Sequence, residues 1–127
     1  MCIRDSTITG VDDDLDDGDI TTTLTATASN SGGYAGTETA STTVKNTDDD
    51  TPGITIAQTG TTSGSDLLTT EAGASSTFTV VLDAEPTADV TVSITGNDAT
   101  EGSLSSSTLT FTAANWDTAQ TLSLIHI

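Results

Sequence analysis

Ile20-Thr21-Thr22-Thr23-Leu24-Thr25-Ala26-Thr27-Ala28 is the stretch whose pattern decides the fold. Ile20, Thr22, Leu24, Ala26 and Ala28 alternate with Thr21, Thr23, Thr25 and Thr27, the period of a strand with one buried face. β-Branched residues, threonine above all, fill the outward positions and suit a pleated surface. The same alternation recurs at Ala40, Thr42 and Val44, at Phe78, Val80 and Leu82, at Val90, Val92 and Ile94, and at Leu109 and Phe111. No segment carries a helical stripe. A chain this polar and acidic has the composition of a disordered one, but its periodicity predicts folded strands.

Outward from that stretch, strands and turn signals follow one another. Thr7 to Val11 reads as the tail of a strand, followed by an acidic loop. Strands are predicted over Ile20 to Ala28 and Thr37 to Lys45, separated by the turn-rich Ser29-Asn30-Ser31-Gly32-Gly33-Tyr34-Ala35-Gly36. Charge, proline and glycine together make Asn46-Thr47-Asp48-Asp49-Asp50-Thr51-Pro52-Gly53 a candidate domain boundary. Beyond it, strands are expected at Ile54 to Gln58, Ser76 to Leu82, Val90 to Thr95 and Thr108 to Thr112, with a last one cut off near Thr121. Polar loops are expected at Thr59 to Asp66 and Gly96 to Gly102. Short strands at this spacing predict an all-β antiparallel sandwich of immunoglobulin-like type.

The two ends stand apart from this pattern. Met1-Cys2-Ile3-Arg4-Asp5-Ser6 back-translates to a DNA string whose reverse complement encodes Leu-Ser-Leu-Ile-His-Ile, the residues from Leu122 to Ile127. Termini related by DNA complementarity resemble a transposase sequencing adapter translated at both ends. Residues 1–6 and 122–127 are accordingly expected to lie outside the natural domain. Met1, Cys2, Arg4 and His126 go with them, leaving Lys45 as the one cation of the stretch from Thr7 to Thr121. That stretch is expected to be an internal slice of a longer reading frame.

Composition narrows the function. The 127 residues suffice for about one domain, and 33% hydrophobic content with 3% aromatic predicts a thin core. A net charge of −17 argues against nucleic acid and anionic membrane, both of which call for a basic face. No apolar run is long enough to cross a bilayer. With Cys2 in the adapter there is no disulfide framework, and a small domain without one leans on a metal or on its neighbours. With His126 set aside, no imidazole is left to activate a serine or threonine, and no cysteine nucleophile remains. The expectation is a protein without enzymatic activity.

Gly10-Val11-Asp12-Asp13-Asp14-Leu15-Asp16-Asp17-Gly18-Asp19 puts six carboxylates into eight residues and is answered later by Asp48-Asp49-Asp50. Such a cluster repels itself unless a cation neutralises it. Hard oxygen donors with no thiol or imidazole nearby suit Ca²⁺ better than a transition metal. The competing reading is a solvated acidic loop. An EF-hand does not fit, because a loop starting at Asp13 places Leu15 at a ligand position. Trp116 and Tyr34 could stack on sugars, although a tryptophan at a strand-to-loop bend is more often a core plug.

Several motifs, in order, carry a family resemblance. Glu71-Ala72-Gly73, a strand, Ala88-Asp89-Val90-Thr91-Val92 and then Leu109-Thr110-Phe111-Thr112-Ala113-Ala114-Asn115-Trp116 resemble the first half of a bacterial Calx-β repeat. Thr9 to Asp19, a Thr-rich strand, and Thr43-Val44-Lys45-Asn46-Thr47-Asp48-Asp49-Asp50 resemble the second half. The halves stand in the reverse of the order one domain would have. The resemblance therefore implies that residues 7–50 close one repeat and residues 51–121 open the next, with a period of about 115 residues, an ordinary domain size. It further implies a calcium site formed by Asp12, Asp13, Asp17, Asp48, Asp49, Asp50 and Glu71. Ile20 stands where the family often has another acidic ligand, the family's Gly-Ser-Asp-Tyr loop is replaced by a stretch with only Asp98, and Glu71 would belong to a different repeat from Asp12.

The resemblance implies a calcium-binding structural repeat of an extracellular or cell-surface protein, in which calcium stiffens the junction with neighbouring repeats. The alternative is a calcium-dependent adhesion module that engages a glycan or a surface protein. A calcium sensor coupled to a transporter, a third setting of this family, would need membrane segments absent from this stretch.

Overall fold

The computed structural model describes residues 5–126, and the expectation for residues 1–4 and 127 lies outside them. Every regular element among the described residues is a strand, and every strand pairing is antiparallel. No helix there is long and apolar enough to cross a membrane. The chain divides into two compact units, Met1–Asp13 with Asp17–Asp49, and Asp14–Asp16 with Asp50–Ile127.

The first unit is a hairpin of β1 (Ile20–Thr27) and β2 (Thr39–Asn46), in register from Ile20 opposite Asn46 to Thr27 opposite Thr39. Directly paired residues share a face of an antiparallel ladder. One face therefore carries Ile20, Leu24, Ala26, Ala40 and Val44 with Thr22, Thr42 and Asn46, while the other carries Thr21, Thr23, Thr25, Thr27, Thr39, Ser41, Thr43 and Lys45. The connecting loop closes where the Ala28 N–H donates to the Glu38 carbonyl at 2.9 Å. Alternation thus sorts the side chains as expected, but the apolar face is not buried: Ile20 is 50% exposed and Leu24 40%. A period of two reports which side is apolar and says nothing about what covers it. Thr7 to Val11, expected to be a strand, has no ladder partner and stays irregular.

The second unit is a sandwich of two sheets. Its larger sheet has the order β3 (Ile54–Gln58), β6 (Ser75–Leu82), β10 (Gln120–His126), β8 (Gly102–Leu104). Its smaller sheet pairs β7 (Val90–Ser93) with β9 (Thr108–Phe111), and β4 (Thr62–Ser63) and β5 (Asp66–Leu67) form a short ribbon. Phe78, Val80 and Leu82 of β6 and Leu122 of β10 meet Val92, Leu109 and Phe111 of the smaller sheet in one buried cluster. Trp116 packs against that cluster, as a core plug does. Fully burying side chains of this size contributes roughly 1.5–3 kcal/mol each.

Close approach fixes the start of β6. The N–H groups of Thr59 and Gly60 both donate to the Thr77 carbonyl, at 2.9 and 2.8 Å. A Cβ on Gly60 would meet the Thr77 nitrogen at 2.3 Å, so only glycine fits there. Beside it, the buried Ser76 hydroxyl donates to the Thr61 carbonyl at 2.8 Å.

One expectation is corrected here, and one segment set aside by its origin is found paired. The loops expected over 59–66 and 96–102 contain or adjoin short strands, β4, β5 and β8. The segment set aside as adapter-derived carries most of β10, running beyond Thr121 to His126 between β6 and β8. Leu-Ser-Leu has the period of a strand, and Leu122, 1% exposed, falls opposite Phe78 on the core face. Leu122→Ala is therefore expected to cost about 2–5 kcal/mol in urea unfolding followed by Trp116 fluorescence, against under about 1 kcal/mol for the exposed Ile20→Ala. An unchanged midpoint for Leu122→Ala would place residues 122–126 outside the fold.

Candidate metal centre

The acidic loop and the aspartate run after β2 meet within the first unit. Gly18 turns the chain with a φ of 77°, a conformation that favours glycine. Its N–H thereby donates to Asp48 Oδ2 at 2.6 Å. The Asp48 N–H returns a bond to Asp19 Oδ1 at 3.0 Å, and Asp19 Oδ2 is ion-paired with the Lys45 ammonium. The hairpin register makes this possible, since Ile20 pairs with Asn46 and so sets Asp19 beside the end of β2. Gly10 supports the approach of the chain: a Cβ there would meet Asn46 Oδ1 at 2.5 Å.

Asp19 and Lys45 were not among the expected site residues. The signal that could have found them is Lys45 itself, the one cation between Thr7 and Thr121, placed just before the aspartate run. The Lys45 side chain, together with the Asp48 N–H, holds the Asp19 carboxyl below its ordinary value. Asp98 is likewise held low, by the hydroxyl and the N–H of Thr100, at 2.6 and 2.9 Å. Its carboxylate is engaged within its own turn.

Asp12, Asp13, Asp17 and Asp49 are exposed, and Asp48 is half-buried, all in the first unit. Asp50 and Glu71 belong to the second unit. Glu71 is exposed in the turn closed by the Thr70 and Ala74 bridge. Among the described residues, no group of three or more His, Cys, Asp and Glu side chains is gathered closely enough to hold a metal ion. The structure thus joins the loop to the aspartate run through Gly18, Asp19 and Asp48, without converging the expected carboxylates on one point. Repulsion accounts for the spread: two unit charges 4 Å apart cost about 1 kcal/mol in water and about 4 kcal/mol near a protein surface.

Within the second unit, Leu15 is half-buried and lines a groove with Ile54, Leu82, Pro86 and Val90. The Glu85 N–H donates to the Asp14 carbonyl at 2.7 Å. The apolar residue that spoils an EF-hand reading of the loop therefore has a packing role.

Comparison with family models, curated proteins and solved structures finds no match for this chain.

The Asp19 interactions have a defined pH dependence. A carboxyl lowered in the folded state contributes stability above its unfolded value, here 3.8, and that contribution is lost as pH falls through the folded value. In a ¹³C-carboxyl titration, Asp19 is expected to show a midpoint below 3.8, and Lys45→Gln is expected to raise it. A midpoint unmoved by Lys45→Gln would contradict the ion pair.

Proposed function

We propose that this chain is a calcium-binding structural segment of a tandem-repeat protein of the Calx-β kind, acting outside the cell or at its surface. The observation that carries the reading is the hydrogen-bonded junction of the acidic loop with the aspartate run, from Gly18 to Asp48 and from Asp48 to Asp19. That junction places Asp48 next to the turn that follows Asp12, Asp13 and Asp17. Asp49 continues from it, so the first unit offers several hard oxygen donors at one end of a hairpin. Oxygen donors of this kind fit Ca²⁺, which takes six to eight of them in flexible geometry.

In this reading, the backbone clasp holds the loop ready while its side chains remain splayed by their charge. A bound Ca²⁺ supplies the positive charge that lets Asp12, Asp13, Asp17, Asp48 and Asp49 draw together. Binding to the folded state alone stabilises it by mass action. The millimolar calcium outside cells suffices even for weak sites. Glu71, on the second unit, belongs in this scheme to the site of the following repeat, while Asp50 ends the aspartate run of the first. The role is mechanical, with no enzymatic step: calcium stiffens the junctions between neighbouring repeats.

Calorimetric titration of the 127-residue chain with CaCl₂, paired with melting curves in calcium and in EDTA, tests the reading. Asp13→Asn with Asp49→Asn is expected to weaken calcium binding on the order of tenfold or more, about 1.4 kcal/mol, and to lower the melting temperature only when calcium is present. Equal melting losses in EDTA, or heat indistinguishable from that of MgCl₂, would contradict the assignment.

A further inference from the structure

Gly18 is the one glycine of the chain that directly follows an aspartate or an asparagine. An Asp-Gly step is able to close on itself: the glycine nitrogen attacks Cγ of the preceding aspartate and makes a five-membered succinimide. A side chain on the following residue crowds that attack, and glycine has none. The dipeptide marks the place, and the fold decides whether the reaction finds room and a proton acceptor.

Both are present at Gly18. Asp17 is exposed, and residues 15–19 lie outside the ladder, which begins at Ile20. No interstrand bond therefore has to break when the Asp17 carboxyl swings onto the Gly18 nitrogen. A Cβ on Gly18 would meet nothing within 4 Å, so the space beside that nitrogen is open. The Gly18 N–H donates to Asp48 Oδ2 at 2.6 Å. A peptide nitrogen is a poor nucleophile because its lone pair is delocalised into the carbonyl. Withdrawal of its proton by a positioned base offsets that weakness. The N–H lies in the peptide plane while the attacking electrons stand above and below it. Asp48 thus draws on the proton without blocking either face.

We propose that Asp17-Gly18 is a site of succinimide and isoaspartate formation, with Asp48 as the proton acceptor. The bond from Gly18 N to Asp17 Cγ forms and a Cγ–O bond breaks. The departing oxygen leaves as water, carrying the proton that Asp48 took from the nitrogen and a second one from solvent. Water then opens the ring at either carbonyl. Opening at the backbone carbonyl leaves an isoaspartyl linkage with one methylene added to the main chain, and no electrons pass to or from another molecule. The longer linkage carries the Gly18 N–H away from Asp48, so the modified chain loses that half of the clasp. The proposal does not rest on the calcium reading.

The full chain, held in EDTA at neutral pH and physiological temperature for several weeks, tests it, the EDTA keeping metal ions from both carboxylates. Isoaspartate is counted by methylation with a protein isoaspartyl methyltransferase and located by electron-transfer fragmentation. It is expected to accumulate at Asp17 well ahead of Asp12, which is exposed in the same loop but followed by Asp13. The native amide signals of Gly18 and Asp48 are expected to decline in step. Asp48→Asn keeps an acceptor oxygen of the same reach with almost no basicity, and is expected to slow the reaction several-fold. Asp17→Asn gives a second readout, because the same ring then forms with loss of ammonia and the product gains about one mass unit. Its rate is expected to fall by a similar factor when Asp48→Asn is added. Rates unmoved by Asp48→Asn in both backgrounds, with the amide signals of β1 and β2 native, would overturn the proposal. So would a rate in urea equal to or above that of the folded chain, or no excess at Asp17 over Asp12.

Discussion

Strand β6 is hydrogen-bonded on both sides, to β3 and to β10, and its alternate residues Phe78, Val80 and Leu82 form the floor of the buried cluster. Its register aligns Leu122 with Phe78, and the facing sheet closes over these residues with Val92, Leu109 and Phe111. Few large side chains are available to a chain that is 3% aromatic, and this one strand gathers them. Both phenylalanines and the tryptophan pack in the second unit, whereas Tyr34, in the first, is exposed. Stable structure follows the apolar supply: where it is concentrated a sandwich forms, and where threonine replaces it a hairpin stands on its ladder alone.

Charge acts in the opposite sense. Carboxylates crowd the loop before β1 and the run after β2, and in the folded chain they are handled one at a time. Asp48 takes the Gly18 N–H, and Asp19 takes the Asp48 N–H and the Lys45 ammonium. These bonds cost nothing in repulsion, because each donor is neutral or positive. Drawing further carboxylates into the same space requires an added cation, which is the physical content of the calcium proposal.

The strands were legible in the sequence to within about two residues wherever a period of two ran for several residues. Ile54 to Gln58 and Ser76 to Leu82 are instances, and so is the first hairpin. Burial was not legible, because Ile20 and Leu24 carry the same pattern as Val80 and Leu82 yet lack a facing sheet. Two-residue strands such as β4 and β5 are too short to show a period. Of the candidate site, the joining of the acidic loop to Asp48 could be anticipated from charge spacing. The Asp19 and Lys45 pair was signalled only by the isolation of Lys45, because its geometry depends on the register of the hairpin. Where Asp50 stands was hidden for a different reason: it folds with the second unit, and local sequence carries no mark of that.

The central claim is that the clasp of Gly18, Asp19 and Asp48 is the calcium-responsive part of the chain. An ¹⁵N-correlation titration of the full chain with CaCl₂ at constant ionic strength tests it most directly. The account predicts saturable shifts at the amides of Gly18 and Asp48 and along residues 12–19 and 48–49, with the amides of β6 unmoved. Shifts matched by NaCl at equal ionic strength, spread evenly over the acidic residues, would contradict it and leave the loop a solvated surface.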